Sequence, residues 1–431
     1  MPVRPRSLTG AAAVAGALVV VAGCGGGGDG SGGSDGLTMY YPVAVGGPLT
    51  EVVDKLVADC TEETGTQVTA VYSGSYADTM TKAQTAARSG QGPDLAVLLT
   101  TDLYTLIDND LIVPLDTLDE DLSWTEEQFF PAFLASGEAE GKLWSLPFQR
   151  STIVQYHNKE AYEAAGLDPE QPPTTWEELE EHARQIQEQG AAEYGLEIPS
   201  TQFGNWMFQA MAIQQGVENT PGTDGFVDYL DDPGSVEALT WWKSLADEGL
   251  MPSGTTEWAS TPEDFLQGRT AIMWHTTGNL TNVRTNASFD FGVSMLPAAE
   301  QPGSPTGGGN LYVFNRGDEN SRAAAYEFSK CLTEPERAAE WSIASGYVAT
   351  GEPAWETEAM QEYAEEFPEA TVARDQLEVA QGETTSHENG RVAQAINDTI
   401  AAVLTGQAEP QEALTQLQAN IDQILQPYRA R

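Results

Sequence analysis

Basic residues are scarce in this 431-residue chain: 20 Lys and Arg stand against 65 Asp and Glu, a formal charge of −45 at pH 7. A phosphate backbone needs basic surface, so the balance argues against nucleic-acid binding. Histidine is also sparse, and His157, His182, His275 and His387 are too scattered to pair at metal-ligand spacing. No metal and no cofactor are therefore expected. Past the N-terminus no run is long and apolar enough to span a bilayer. Catalytic signatures are missing as well, with no GxSxG elbow, no phosphate-binding P-loop and no GxGxxG after a strand. Carboxylates are so numerous that motif absence alone leaves room for a glycosidase's acid/base pair. Most of the acids read as solvated surface. Against that background, a basic side chain in a concave site would stand out electrically.

Cysteine is rarer still, at three. The first closes an N-terminal pattern in which Arg4 and Arg6 precede an apolar stretch, Ala11 to Ala22, that suits the core of a secretory signal. The stretch ends in Val21-Ala22-Gly23-Cys24, which resembles the bacterial lipobox. That resemblance implies cleavage after residue 23 and lipidation of Cys24, leaving the mature protein on the outer face of the cell membrane and touching it only through the lipid. Residues 24–36 are nearly all Gly, Ser and Asp and read as a flexible tether. Cys60 and Cys331 lack metal-ligand spacing; in an oxidising compartment they either pair or stay as separate buried thiols.

The remaining residues exceed what one hydrophobic core usually organises, so two lobes are expected. Leu37–Tyr41 reads as a strand. Leu49, Val52, Val53, Leu56, Val57 and Cys60 recur at helical spacing up to Gly65, and strands follow at 67–72 and 93–99. Strands separated by helices predict a largely parallel α/β sheet with ligand bound beyond the strand ends. A second α/β region follows, with a strand at 153–156, a helix from Asn158 to Ala165, and a helix opened by a capping box between Thr175 and Glu178. Further on come a helix at 235–248, a strand at 291–297, a Gly/Pro loop at 302–309, a strand at 311–314 and a helical C-terminal stretch broken near Gly406 and Pro410.

Several segments resemble the family 1 extracellular solute-binding proteins of ABC importers, in particular the glycerol-3-phosphate-binding type. They are Phe265-x-x-Gly268-x-x-Ala271-x-Met273 with Gly278, the segment FDFGVSMLP at 289–297, NKEAYEAAGLDPEQPPTTWEE at 158–178, Ser345-Gly346-Tyr347, and the run from Arg391 to Leu404. The resemblance implies a two-lobed, type II periplasmic-binding-protein-like α/β fold with a ligand cleft between lobes joined by hinge crossings near 147–152, 298–306 and 347–350. One lobe would combine 37–148 with 306–347, the other 149–305 with 348–431.

The resemblance also implies site residues. Tyr76 matches a tyrosine that contacts ligand, Ser151 a hinge serine, and Thr276 or Thr277 a ligand-binding serine. Gly308 and Gly309 match a glycine turn whose backbone approaches the ligand. Tyr347 and Arg391 match a tyrosine and an arginine that hold phosphate. Trp206 stands where relatives stack a ring on solute. Three positions depart from the pattern. A glutamate that grips glycerol hydroxyls falls on Thr100, with Asp102 close by to substitute. A Trp-His pair becomes Pro42-Val43, and Arg150 replaces a small polar residue beside the hinge serine.

These readings predict a monomeric, non-enzymatic lipoprotein that binds glycerol 3-phosphate or a glycerophosphodiester and passes it to the membrane permease subunits of an ABC importer. The alternative cargo is an oligosaccharide held on Trp206, Trp274 or Phe148. A glycosidase is the remote alternative.

Overall fold

The computed structural model describes residues 36–43, 49–222 and 224–429. The expectations for the leader, for Cys24 and for the tether up to residue 35 fall outside these residues. No helix among the described residues is long and apolar enough to cross a membrane.

Nine strands form one sheet: β1 (Leu37–Tyr41), β2 (Val68–Tyr72), β3 (Leu95–Leu99), β4 (Ser145–Asn158), β5 (Tyr194–Glu197), β6 (Thr270–Thr276), β7 (Phe291–Ser294), β8 (Ser304–Val313) and β9 (Ala380–Gln381). Their order is β2-β1-β3-β8-β4-β6-β5, with β7 on β4 and β9 on β8. β1 runs parallel to β2 and β3, and β5 parallel to β6, as strand–helix–strand units require. The middle of the sheet corrects the expectation of a largely parallel arrangement. β8 is antiparallel to β3 and β4, and β4 to β6 and β7. β4 explains the difference. All 14 of its residues are buried, its first half pairs with β8 and its second half with β6 and β7, so one strand carries the chain from one lobe into the other.

Separate apolar cores lie on the two sides of that crossing. In the first, the helix Leu49–Thr64 buries Leu49, Val53, Leu56, Val57 and Cys60 against β1, β3 and the helix Glu319–Leu332. In the second, Trp242, Phe208 and Ile400 pack around Ile272 and Trp274 of β6. Each such fully buried side chain is worth about 1.5–3 kcal/mol.

Residues 302–309 differ most from expectation. The Gly/Pro stretch is not a loop: from Ser304 it is the first half of β8, continuous with the strand foreseen at 311–314. Two of its glycines are set by close contacts. A Cβ on Gly307 would lie 2.4 Å from Trp206 Cζ2, and Gly308 has φ +95°, a left-handed value that a side chain resists. Pairing with β4 along Thr306–Gly309, joined by β3 from Gly309, supplies the hydrogen bonds that hold a glycine-rich strand. The capping box at Thr175 is only half made. Thr175 Oγ1 accepts from Glu178 N, but the Glu178 carboxylate turns to the N–H and hydroxyl of Thr174.

Cys60 and Cys331 form a disulfide between the helices Leu49–Thr64 and Glu319–Leu332, 271 residues apart in sequence. A link of that span restricts the unfolded chain strongly, so the double variant Cys60→Ala/Cys331→Ala should lose about 2–5 kcal/mol of stability. Urea melts of the oxidised wild type and the variant check this; superimposable curves would contradict it.

Candidate functional site

The ends of β3 and β6, with Ser151 and Gly308 in the middle of β4 and β8, border one cleft with a cavity volume of about 30 Å³. That is far below the ~300–1,000 Å³ seen for open small-molecule sites. Tyr76 reaches it as the first residue of the helix Tyr76–Arg88. A full capping box fixes that start: Ser75 Oγ accepts from Asp78 N, and the Asp78 carboxylate accepts from Ser75 N. The Tyr76 hydroxyl donates to Gln149 Oε1 at 2.9 Å. Ser151 faces the cleft from β4, Thr276 from the end of β6 and Gly308 from β8, while Tyr347 follows Gly346, whose φ of +85° ends a helix. Trp206 also lines the cleft and is anchored by donating from Nε1 to Thr306 O at 2.9 Å.

Four further lining residues escaped the sequence reading: Leu99, Phe203, Trp258 and Glu383. Phe203 and Trp258 meet edge to face at 4.7 Å and continue the aromatic wall begun by Trp206. Both sit outside any apolar periodicity, so no local pattern marks them. Glu383 is a single acid among 65 in a stretch without repeating apolar positions. It is 7% exposed and its Oε2 accepts from Thr100 Oγ1 at 2.9 Å.

Burial governs the electrostatics. It pushes the Glu383 carboxyl up to about 7, a rise that Arg150 and the Thr100 hydrogen bond partly oppose. Asp102, enclosed although the residue keeps partial surface exposure, is pushed up to about 7 by the same cause. Desolvation also lifts Tyr347 to about 12 and raises Tyr76 well above its ordinary range.

The remaining candidates divide. Thr100 is buried and belongs to the site through Glu383, while Asp102 accepts a longer bond from Asn389 Nδ2 at 3.4 Å and is not part of the lining. Thr277 turns inward, accepting from Thr152 N at 3.2 Å. Gly309 sits under the Tyr76 ring within β8, in a strand with a register shift and not in a turn. Arg150 lies behind the cleft, fully buried, and donates to Gly308 O, Asn310 Oδ1, Ser136 Oγ and Thr306 Oγ1.

Arg391 is placed outside. Its side chain is 63% exposed and its charged neighbour is Glu388 at 3.6 Å. The helix Asn389–Leu404 turns Val392, Ile396, Ile400 and Val403 inward, and Arg391 is out of register with them. The alternative platforms Trp274 and Phe148 are core residues: Trp274 donates to Gln155 Oε1, and Phe148 stacks on Trp341.

Along one rim, residues 100–108 meet residues 383–389. Beside the Thr100–Glu383 and Asp102–Asn389 contacts, His387 Nδ1 lies 2.8 Å from Asp108 Oδ2, and the His387 ring packs on Tyr104 and Tyr428.

A two-lobed α/β fold with hydroxyls, aromatic rings and one carboxylate around an interlobe cleft defines a solute receptor, and the chain belongs to the bacterial extracellular solute-binding proteins, whose profile matches residues 55–369. It resembles the sn-glycerol-3-phosphate-binding periplasmic protein UgpB of Salmonella typhimurium, with 28% identity over 381 residues, 84% of this chain and 86% of that one. UgpB of Yersinia pseudotuberculosis is 29% identical over 367 residues, 81% of this chain and 83% of that one. Among solved structures, UgpB from Mycobacterium tuberculosis in complex with glycerophosphocholine superposes with a TM-score of 0.80 at 22% identity, covering 92% of this chain and 100% of that one. The cyclic alpha-maltosyl-1,6-maltose binding protein from Arthrobacter globiformis gives 0.76 at 24% identity, covering 90% and 98%. The fold is thus the type II periplasmic-binding fold. The protein is an extracytoplasmic solute-binding component of an ABC importer, which delivers a small molecule to permease subunits, and is not an enzyme.

Proposed function

We propose that the solute is a small polyhydroxylated molecule of no net charge, a sugar of one or two rings, held between the lobes and handed to the importer. The observation that carries this is the charge of the lining. Among the described residues that line the cleft, the carboxyl group is that of Glu383, and no basic side chain joins it. A phosphate dianion requires the opposite arrangement. Rings at 203, 206 and 258 suit the apolar face of a sugar, and Ser151, Thr276 and Tyr347 offer hydroxyls to its rim. Solute bridging the rim would stabilise the closed population, without bond-making chemistry.

A second reading keeps the glycerol backbone. The relatives named for glycerol 3-phosphate match over most of both chains, and one matched structure contains glycerophosphocholine. Such a zwitterion has glycerol hydroxyls for Glu383 and a quaternary ammonium that aromatic faces attract.

Calorimetry with maltose, glycerophosphocholine and glycerol 3-phosphate separates the readings. Maltose is expected to bind and glycerol 3-phosphate to stay silent, with Arg391→Ala changing the affinity less than about twofold. Tightest binding by glycerol 3-phosphate, with a large loss in Arg391→Ala, would overturn the proposal.

A further inference from the structure

The carboxylate in the cleft is held with unusual care for a residue in an irregular segment. On one side of Glu383, Gly382 O accepts from Gln209 Nε2 at 2.8 Å; on the other, Thr384 N donates to Gln209 Oε1 at 3.0 Å. One buried glutamine therefore clamps the backbone on both flanks of the acid. The clamp is tied down further, since Thr384 Oγ1 donates to Thr220 O at 2.7 Å and meets the Tyr229 hydroxyl at 3.1 Å. β9 completes the anchorage by pairing Ala380 and Gln381 with Ser304 and Pro305 of β8. Glu383 is thus presented toward Thr100, and its other oxygen, Oε1, has no hydrogen-bond partner among the described residues.

Its surroundings set what it can accept. Arg150 lies behind it as the nearby cation, and Asp102 is a second acid within electrostatic reach. Tyr76 and Tyr312 complete the ionisable groups that feel its charge. Arg150 directs both Nη groups at four neutral oxygens, and its Nε, without a partner among the described residues, is buried away from solvent, so no pair of Nη donors is left for an anion.

Building on the neutral-solute reading, we propose that Glu383 is the specificity-determining residue of this cleft, accepting solute hydroxyls through its carboxylate and rejecting phosphate by its charge. Gln209 is the positioning residue that aims it. The ionised carboxylate is the stronger acceptor. Affinity for a hydroxylated neutral solute should therefore rise as pH increases through about 7, where burial has placed the Glu383 titration.

The test is calorimetry on the folded wild type, Glu383→Gln and Glu383→Asp with maltose, glycerophosphocholine and glycerol 3-phosphate at pH 6 and pH 8.5. Glu383→Gln should weaken the preferred solute by about 10- to 100-fold, the value of hydrogen bonds to a charged group. It should also flatten the pH dependence and narrow the gap to glycerol 3-phosphate by at least about tenfold. Glu383→Asp should keep the rejection of phosphate. If the wild type prefers glycerol 3-phosphate, the neutral-solute reading falls. The assignment of Glu383 is judged separately, by whether Glu383→Gln still changes the solute ratio and the pH profile. Ratios and profiles within twofold of wild type in both variants overturn it. Should Glu383→Gln fail to fold, a wild-type affinity that does not change between the two pH values does the same.

Discussion

Replacing Arg150 with alanine is expected to lower the unfolding free energy by about 3–5 kcal/mol, as for other buried charged groups removed from a bonded network. Arg150 has no exposed surface. Its guanidinium satisfies Gly308 O and Asn310 Oδ1 through Nη1, and Ser136 Oγ and Thr306 Oγ1 through Nη2, at 3.1–3.4 Å. The group also lies over the Phe133 ring, 5.2 Å from its centroid. Its backbone carbonyl accepts from Val348 N at 2.8 Å, so the segments around 150, 306–310 and 348 meet at this one residue. Alanine leaves a void and strands buried acceptors, each costing about 1–3 kcal/mol.

Two companions distinguish the causes. Arg150→Met fills the volume and escapes the desolvation that holds this guanidinium below its usual range, so it should lose less than alanine. Arg150→Lys keeps the charge but lacks the planar fork that reaches both Gly308 and Thr306, so it should not restore wild-type stability. Urea unfolding followed by circular dichroism gives all three values. An alanine variant within about 1 kcal/mol of wild type would show that the crossing segments hold together without this side chain.

Arg150 also shows how the sequence was readable and where it was not. Its departure from the family pattern was visible, and the resemblance placed it beside the hinge serine. Its orientation was not visible, because strand alternation puts neighbours on opposite faces and nothing local says which face meets the cleft. Ser151 took the cleft side and Arg150 the buried side. The helix from Leu49 was legible because burial follows a 3.6-residue period that the sequence displays. Residues 304–309 were not, since glycine has little strand preference of its own, and their extended form is imposed by distant partners: β9 at 304–305, β4 from Thr306 and β3 only from Gly309.

The site divides in the same way. Tyr76, Ser151, Trp206, Thr276, Gly308 and Tyr347 were proposed from motif context, and all six line one cleft. Arg391 was proposed from context too, but the inward register of Val392 and Ile396 on its own helix already pointed it elsewhere. Glu383 had no local signature. What marks it is the pair of Gln209 contacts made across 173 and 175 residues of sequence, which no local pattern encodes.

Stability is expected to peak on the acid side of neutrality, between about pH 4.5 and 6.5, and to fall as pH rises through 7. Asp102, Glu197 and Glu383 are all pushed up by burial to about 7, from ordinary values of 3.8, 4.5 and 4.5. The unfolded chain releases these protons near its ordinary values, whereas the folded chain keeps them until about 7. Within that window the folded state binds more protons, so raising the pH favours unfolding. One fully realised group changes the balance by roughly 3 kcal/mol, at about 1.4 kcal/mol per pK unit.

Histidines act in the opposite sense. Burial lowers His275 to about 3 and also lowers His157 and His182 from 6.5, so below 6.5 the unfolded chain takes up protons that the folded chain refuses. Above 6.5 the carboxylates therefore act alone and stability drops with pH. Between 6.5 and 4.5 the buried histidines oppose the three carboxylates, and below 4.5 the histidines, His275 above all, are left to favour unfolding. Melting temperatures measured from pH 4 to 8.5 should trace that asymmetric dome. Glu383→Gln should flatten its alkaline limb, because the amide removes one of the three titrations. A melting temperature that climbs from pH 6 to 8.5 would mean that the buried carboxylates are ionised in the folded chain at little cost, against the burial that raises all three.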